Sequence, residues 1–202
     1  MVRVKIYVEG GGDSESLRTK CRRGFSKLIE KAGLRGRMPR IVACGGRRCA
    51  YEDFCTAVQN AAPDEFPLLL VDSEGAVSSE PWDHLKIRDG WNKPSYATDE
   101  QAHLMVQCME AWFLADRDTL MEFFGQGFRP NALPANSNVE EVSREDLARA
   151  LENATRDART KGAYNKGKHS FDLLALLDWS KIQDSSRHAH RFFDTLRRKA
   201  IA

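Results

Sequence analysis

The sequence predicts an α/β fold, with a mainly parallel four-stranded sheet flanked by helices and a helical C-terminal extension. Through the first 125 residues, strand and helix signals alternate, and this order produces right-handed crossovers between parallel strands. Residues 66–74 contain a continuous apolar run, which is typical of a strand covered on both faces. At 202 residues, with 42% hydrophobic and 30% charged residues, the chain can build its core without disulfides or metal.

The first half of the predicted domain contains two strand and helix pairs. Residues 3–8 alternate apolar residues with other types, the pattern of a half-buried strand. Residues 14–32 repeat apolar side chains at three- and four-residue spacing, which predicts an amphipathic helix. A short apolar run at 41–44 predicts the second strand, and residues 51–61 predict a helix that ends before Pro63.

The second half is built around the predicted central strand, residues 66–74. Residues 75–101 have no clear periodicity and predict a long excursion, a kind of segment that often lines a site. Residues 103–108 predict the fourth strand. Residues 109–124, which are rich in large apolar side chains, predict one continuous helix.

The composition changes after Gly125, where residues 126–143 contain two prolines and several Asn and Ser residues. We therefore expect an α/β domain over residues 1–125 and a helical extension over residues 126–202 that packs on it. Within the extension the periodicity predicts three helices, at 144–158, 171–178 and 181–199. His188 and His190 are expected at the surface of the last helix.

The net charge of +2 hides two oppositely charged blocks. Residues 18–48 carry eleven basic residues and one acid, whereas residues 49–85 carry eight acids and no Lys or Arg. Solvated helix faces are one interpretation of these blocks. The other is an anionic polymer held by the basic block beside a carboxylate metal site.

The sequence also bears on location and on zinc. We expect no membrane partner, because the longest aliphatic run is far below the roughly 18 residues of a membrane span. The N-terminus has no apolar signal segment, so we expect a cytoplasmic protein. The five cysteines fit reduced thiols, and the spacing of Cys44, Cys49 and Cys55 matches no standard zinc site.

Acidic residues follow two of the predicted strands. Glu9 ends the first strand, and Asp72 and Glu74 end the third. Ligands of open parallel sheets bind at the carboxyl ends of the strands, and clustered carboxylates that would otherwise repel select a hard cation. We therefore expect a Mg²⁺ (or Mn²⁺) site at this edge. Asp13, in the loop after Glu9, is either a helix cap or a further ligand.

Residues 162–169 match the spacing of a phosphate-binding P-loop, but His169 replaces the Ser or Thr that such a loop requires. The preceding segment is also charged and helical, so we reject a P-loop here. Lys166, Lys168 and His169 are instead expected in a mobile basic loop. There a lysine is either solvated or near a transition-state phosphate.

The residues around these acids resemble a known family. Val8-Glu9-Gly10 and Leu70-Val71-Asp72-Ser73-Glu74 are similar to the Toprim domain of topoisomerases, primases and OLD-type nucleases. Over most of its length the chain also resembles an uncharacterised bacterial family of Toprim-like proteins, a domain of unknown function. The resemblance implies acid/base or metal chemistry for Glu9 and Mg²⁺ binding for Asp72 and Glu74, although Glu74 replaces the usual second Asp.

The likeness to OLD-type nucleases implies further site residues. Asp13 and Glu110 would be additional metal ligands, and Lys166 or Lys168 would be the catalytic lysine. These matches predict a Mg²⁺-dependent phosphodiester hydrolase acting on DNA or RNA, with nucleic acid as its partner. An ATPase or a second copy of the chain are further candidate partners. A non-catalytic metal-binding interaction module and a small-molecule phosphohydrolase are the alternatives.

Overall fold

The computed structural model describes residues 2–201 and contains a four-stranded sheet with helices on both faces. All neighbouring strands are parallel, in the order β2-β1-β3-β4. The predicted α/β class, four-stranded sheet and helical C-terminus are therefore confirmed. The strands are β1 (Arg3–Gly11), β2 (Arg40–Gly45), β3 (Glu65–Asp72) and β4 (Ala102–Met105).

Eight α-helices connect or follow these strands within residues 2–201. They are α1 (Glu15–Ile29), α2 (Arg47–Gln59), α3 (Pro81–Asp89), α4 (Arg117–Phe124), α5 (Arg144–Thr155), α6 (Lys166–Leu176), α7 (Trp179–Ser185) and α8 (Arg187–Ile201). None of the helices in the described part of the chain is long and apolar enough to cross a membrane.

The alternation of side chains along the central strands divides the core into two layers. Leu68 and Leu70 of β3 pack in the larger cluster, with α1 and the C-terminal helices. Leu69 and Val71 point to the other face and pack in a smaller cluster with α2 and α3. Because both faces of β3 are covered, its sequence is continuously apolar, as predicted.

The excursion at residues 75–101 contains a helix that the periodicity did not reveal. Helix α3 starts with Pro81, whose fixed φ suits the first helical turn, and ends at Gly90 in the left-handed region with φ of 73°. Trp82 and Leu85 are buried against the sheet. With so few apolar positions, a short helix leaves too little periodicity in the sequence to be recognised.

The predicted helix at 109–124 is wrong in one respect, because it is split. Residues Met109–Ala115 form a 3₁₀ segment, and α4 starts only after Asp116. Asp116 is 2% exposed. Its carboxylate accepts the backbone N–H of Asp178 at 2.9 Å and binds Lys181 Nζ at 2.7 Å. These contacts with the C-terminal helices explain why the chain turns at this residue.

The C-terminal helices also differ from their predicted bounds. Lys166, Lys168 and His169 lie in the first turn of α6 and not in a mobile loop. The predicted helix at 181–199 is divided into α7 and α8 at Ser186.

His188 is buried, contrary to the predicted surface position, whereas His190 is exposed. The buried Glu140 explains this, because its carboxylate accepts hydrogen bonds from Ser186 Oγ, His188 N and His188 Nδ1 at the start of α8.

Candidate metal centre

The site lies beyond the carboxyl ends of β1 and β3, which are neighbours in the sheet. Glu9, Asp72 and Glu74 each present one carboxylate oxygen to this point, and these three oxygens lie within 4.8 Å of one another. The three acids predicted from two separate strand ends are therefore brought together. Glu74 has a left-handed backbone with φ of 64°, so the extended geometry of β3 does not continue through it.

Two glycines allow the loops around this edge to approach closely. Gly11, with φ of 90°, passes so near α1 that a Cβ would lie 2.7 Å from Arg18 Cα. Gly45, with φ of 79°, passes so near the β1 loop that a Cβ would lie 2.6 Å from the Gly12 carbonyl oxygen. Side chains would be both strained and obstructed at these positions, so glycine shapes the floor of the site.

Asp72 is the most enclosed of the three acids, with 6% of its surface exposed. Its Oδ1 accepts the backbone N–H of Met109 at 2.8 Å. Burial, together with the negative charges of Glu9 and Glu110, raises the pKa of Asp72 to about 8, against the opposing effect of Lys166. A carboxylate in this environment is stabilised in its charged form by a nearby cation.

Glu9 lies between Asp72 and a cationic side chain. Its Oε2 accepts the backbone N–H of Asp72 at 3.2 Å and lies 3.5 Å from Arg47 Nη1. Burial raises the pKa of Glu9 despite the opposing charge of Arg47.

Arg47 is held by several groups at the start of α2. It forms a two-point ion pair with Asp89, with an Nη2–Oδ2 distance of 2.6 Å and an Nε–Oδ1 distance of 3.1 Å. It also donates to the Asp72 carbonyl and lies 4.9 Å over the Trp91 ring. The guanidinium is therefore fixed beside two of the clustered acids.

Glu74 is paired with cations from two other elements. Its Oε2 accepts from Arg144 on α5, and it lies 3.4 Å from Arg88 Nη2 on α3. Sequence reasoning missed all three of these arginines. Only Arg47 left a signal, since it lies near the end of the basic block and follows the glycine pair 45–46 at the end of a strand.

Glu110 lies in the adjoining cavity and not in the three-acid cluster. This cavity has a volume of about 230 Å³ and is lined by Glu9, Gly10, Gly11, Gly12, Leu17, Gly45, Asp72, Met109, Glu110, Lys166, Gly167, Ser170 and Phe171. Glu110 is 4% exposed and lies 3.0 Å from Lys166 Nζ, while Ser170 Oγ donates to it at 3.3 Å. Burial lowers the pKa of Lys166, but the negative charges of Glu110 and Asp72 have the larger combined effect and raise this pKa above its usual value.

The remaining predicted site residues lie outside this centre. Asp13 is exposed in the turn after β1 and does not line the cavity. Ser14, not Asp13, caps α1, with its hydroxyl accepting the Leu17 N–H at 3.4 Å. Lys168 is exposed on the first turn of α6 and likewise does not line the cavity.

The chemistry of these donors fits a hard divalent cation. The cluster offers carboxylate oxygens alone, the ligand type that Mg²⁺ and Mn²⁺ prefer. The Met109 N–H holds Oδ1 of Asp72 in place, and the side chain lines the cavity, so its carboxylate is already positioned to bind such a cation.

Comparison with protein families identifies a family whose description assigns no activity. The model of the family described as Domain of unknown function (DUF4276) matches residues 8–197. The chain therefore belongs to this uncharacterised domain family. Neither the curated proteins nor the solved structures contain a significant match to the chain.

Proposed function

We propose that the protein is a Mg²⁺-dependent phosphodiester hydrolase acting on DNA or RNA. The observation that carries this proposal is the convergence of Glu9, Asp72 and Glu74 within 4.8 Å beside a cavity that also holds a lysine. Clustered carboxylates with a neighbouring cation are suited to hold a metal and an anionic phosphate together.

Each residue has a defined part in this proposal. Glu9, Asp72 and Glu74 would hold Mg²⁺ or Mn²⁺, which when bound supplies a Lewis acid for the phosphate and an activated water. Lys166 places its ammonium at the edge of the cavity, where it would stabilise negative charge that develops on the phosphate. Glu110 is a positioning residue, because its buried carboxylate holds that ammonium at 3.0 Å.

Positive charge next to the cavity supports a polymeric substrate. Burial lowers the pKa of His169, and the charges of Lys168, Lys161 and Lys20, which come from three segments, lower it as well, against the opposing charge of Asp172. Such a group of lysines can hold consecutive phosphates of a nucleic-acid backbone, in binding that weakens as salt is added.

We further infer that the α/β domain is related to the Toprim domain. The supporting feature is the placement of Val8-Glu9-Gly10 and Asp72-Ser73-Glu74 at the ends of adjacent parallel strands. An ATPase partner, as the OLD-type resemblance implies, is part of the same proposal.

The test is cleavage of labelled single- and double-stranded DNA and RNA with Mg²⁺, Mn²⁺ or EDTA. We expect metal-dependent cleavage that Asp72→Asn reduces about a hundredfold or more, because Asn keeps the acceptor for Met109 N–H but loses the charge that holds the metal. Asp83→Asn, at an exposed acid on α3, is the matched control and should cleave normally. Undiminished cleavage by Asp72→Asn would overturn the assignment.

One observation favours the non-catalytic module as a second candidate. Arg144 and Arg88 already neutralise Glu74 through its Oε2, so a metal would have to share this acid with two cations. Mg²⁺ binding measured by calorimetry, without turnover of any nucleic acid and with or without an ATPase partner, would support this alternative.

A further inference from the structure

A second cavity, of about 440 Å³, lies on the other side of the Glu110–Lys166 pair. Both residues line this cavity as well as the first one, so the two spaces meet at the ion pair. The residues that line it are Cys108, Glu110, Arg144, Glu145, Leu147, Ala148, Leu151, Tyr164 and Lys166. It is distinct from the three-acid cluster, but it is next to the groups that would bind the phosphate.

The walls of this second cavity are mainly apolar. Leu147 and Leu151 project from α5 and are almost completely buried, and Tyr164 supplies a half-buried aromatic ring. Four charged residues also line it, namely Glu110, Arg144, Glu145 and Lys166, and two of them are tied to the first site, since Arg144 contacts Glu74 and Lys166 contacts Glu110. Apolar walls with a few fixed polar groups are typical of a site for an organic ring.

We propose that the second cavity is a subsite for a nucleobase that adjoins the scissile phosphate. This inference rests on the proposed function, which places the phosphate at Glu9, Asp72 and Lys166. A base has apolar faces that would lie against Ala148 and the ring of Tyr164, over the buried Leu147 and Leu151, and a polar edge that can reach Arg144. The sugar and phosphate would then extend past the Glu110–Lys166 pair toward the carboxylates.

The positions of the charges favour a base over a second phosphate group. Glu110 and Glu145 both line this cavity, and their carboxylates would repel an additional phosphate. The cations at its border are each paired with an acid, Arg144 with Glu74 and Lys166 with Glu110. A neutral ring is compatible with this balanced charge.

Ala148 offers a direct test, because it is exposed, lies on α5 and lines the cavity. Ala148→Trp should fill the space without removing a core side chain. Glu152→Trp, also exposed on α5 but lining neither this cavity nor the first, is the matched control. The probes are a short phosphorothioate oligonucleotide and its abasic counterpart, with binding measured by fluorescence anisotropy in Mg²⁺.

We expect the wild type to bind the base-containing probe about tenfold more tightly than the abasic probe, as base contact with an aromatic residue can supply. Ala148→Trp should abolish this preference, and Glu152→Trp should keep it. Equal binding of both probes by the wild type, no binding of either probe, or an unchanged preference in Ala148→Trp would overturn the inference.

Parallel cleavage assays distinguish this failure from failure of the proposed function. Cleavage of normal and abasic substrates at equal rates, with equal binding of both probes, would reject the base subsite and leave the phosphodiesterase standing. A base preference in binding without any cleavage would support the subsite and reject the activity.

Discussion

The buried acid at the end of β3 should make the metal-free protein less stable, and Asp72→Asn should relieve this cost. The sign follows from the pKa of Asp72, which is raised in the folded protein from 3.8 to about 8. The folded state therefore binds a proton that the unfolded state releases, and the free energy of unfolding falls as pH rises through this window. The asparagine variant cannot titrate here and should lack this dependence.

The size of the effect follows from the interval between the unfolded pKa and the working pH. At pH 7 the difference corresponds to about 4 kcal/mol if the whole shift acts on Asp72 alone. Burial is the largest cause of this shift, and the polar amide of the variant must still be buried, so only part of this energy is recovered. We therefore expect Asp72→Asn to stabilise the metal-free protein by about 1–3 kcal/mol at pH 7.

Urea denaturation between pH 5 and pH 9 measures this, with EDTA in one series and Mg²⁺ in the other. In Mg²⁺ the wild type should gain stability by mass action, and the gain should grow with pH, while the variant gains little. The reasoning is refuted if Asp72→Asn is less stable than the wild type in EDTA at pH 9. It is equally refuted if Mg²⁺ stabilises both proteins to the same extent.

Two further predictions concern the buried acids Glu110 and Glu140. Glu110→Gln should lower kcat about tenfold and move the alkaline limb of the pH–rate profile to lower pH, because Glu110 raises the Lys166 pKa; an unchanged profile would contradict its positioning role. Glu140→Ala should lower the free energy of unfolding by about 2–4 kcal/mol, because it leaves the Ser186 hydroxyl and the His188 N–H without their acceptor. Glu141→Ala, at the exposed neighbour, should cost under about 0.5 kcal/mol in the same denaturation experiment, and equal losses in the two variants would contradict the role of Glu140.

Two of the three clustered acids, Glu9 and Asp72, could be placed from the sheet alone, whereas Glu74 follows β3 in a left-handed conformation. Glu9 and Asp72 end strands that are neighbours and parallel, and parallel strands bring their carboxyl ends to one edge whatever the loops do. The arginines could not be predicted in this way. Arg144 reaches Glu74 from a helix 70 positions later in the chain, and no periodicity records which end of α5 faces the sheet.

The element boundaries failed where tertiary contacts override local pattern. Asp116 interrupts a run that is apolar enough for one helix, because its carboxylate is needed by Asp178 and Lys181. The sequence predicts a surface position for His188, whereas the fold buries it. Its burial is tolerated because Glu140, 48 positions away in the chain, supplies a hydrogen-bond partner. In both cases one buried acid decides the boundary, and its partners are distant in sequence.

The same comparison changes how the two charge blocks are understood. They are adjacent in sequence and nearly cancel in the net charge of +2, yet the fold does not simply place one against the other. Arg47, near the end of the basic block, turns into the acidic edge beside Glu9, whereas Arg22, Lys27 and Arg48 pair with acids close to them in the chain. The block thus contributes one cation that lies beside the carboxylates and several others that are already neutralised elsewhere. A near-neutral total is therefore compatible with a strongly polarised site, because the field at the cavity depends on which cations are already paired.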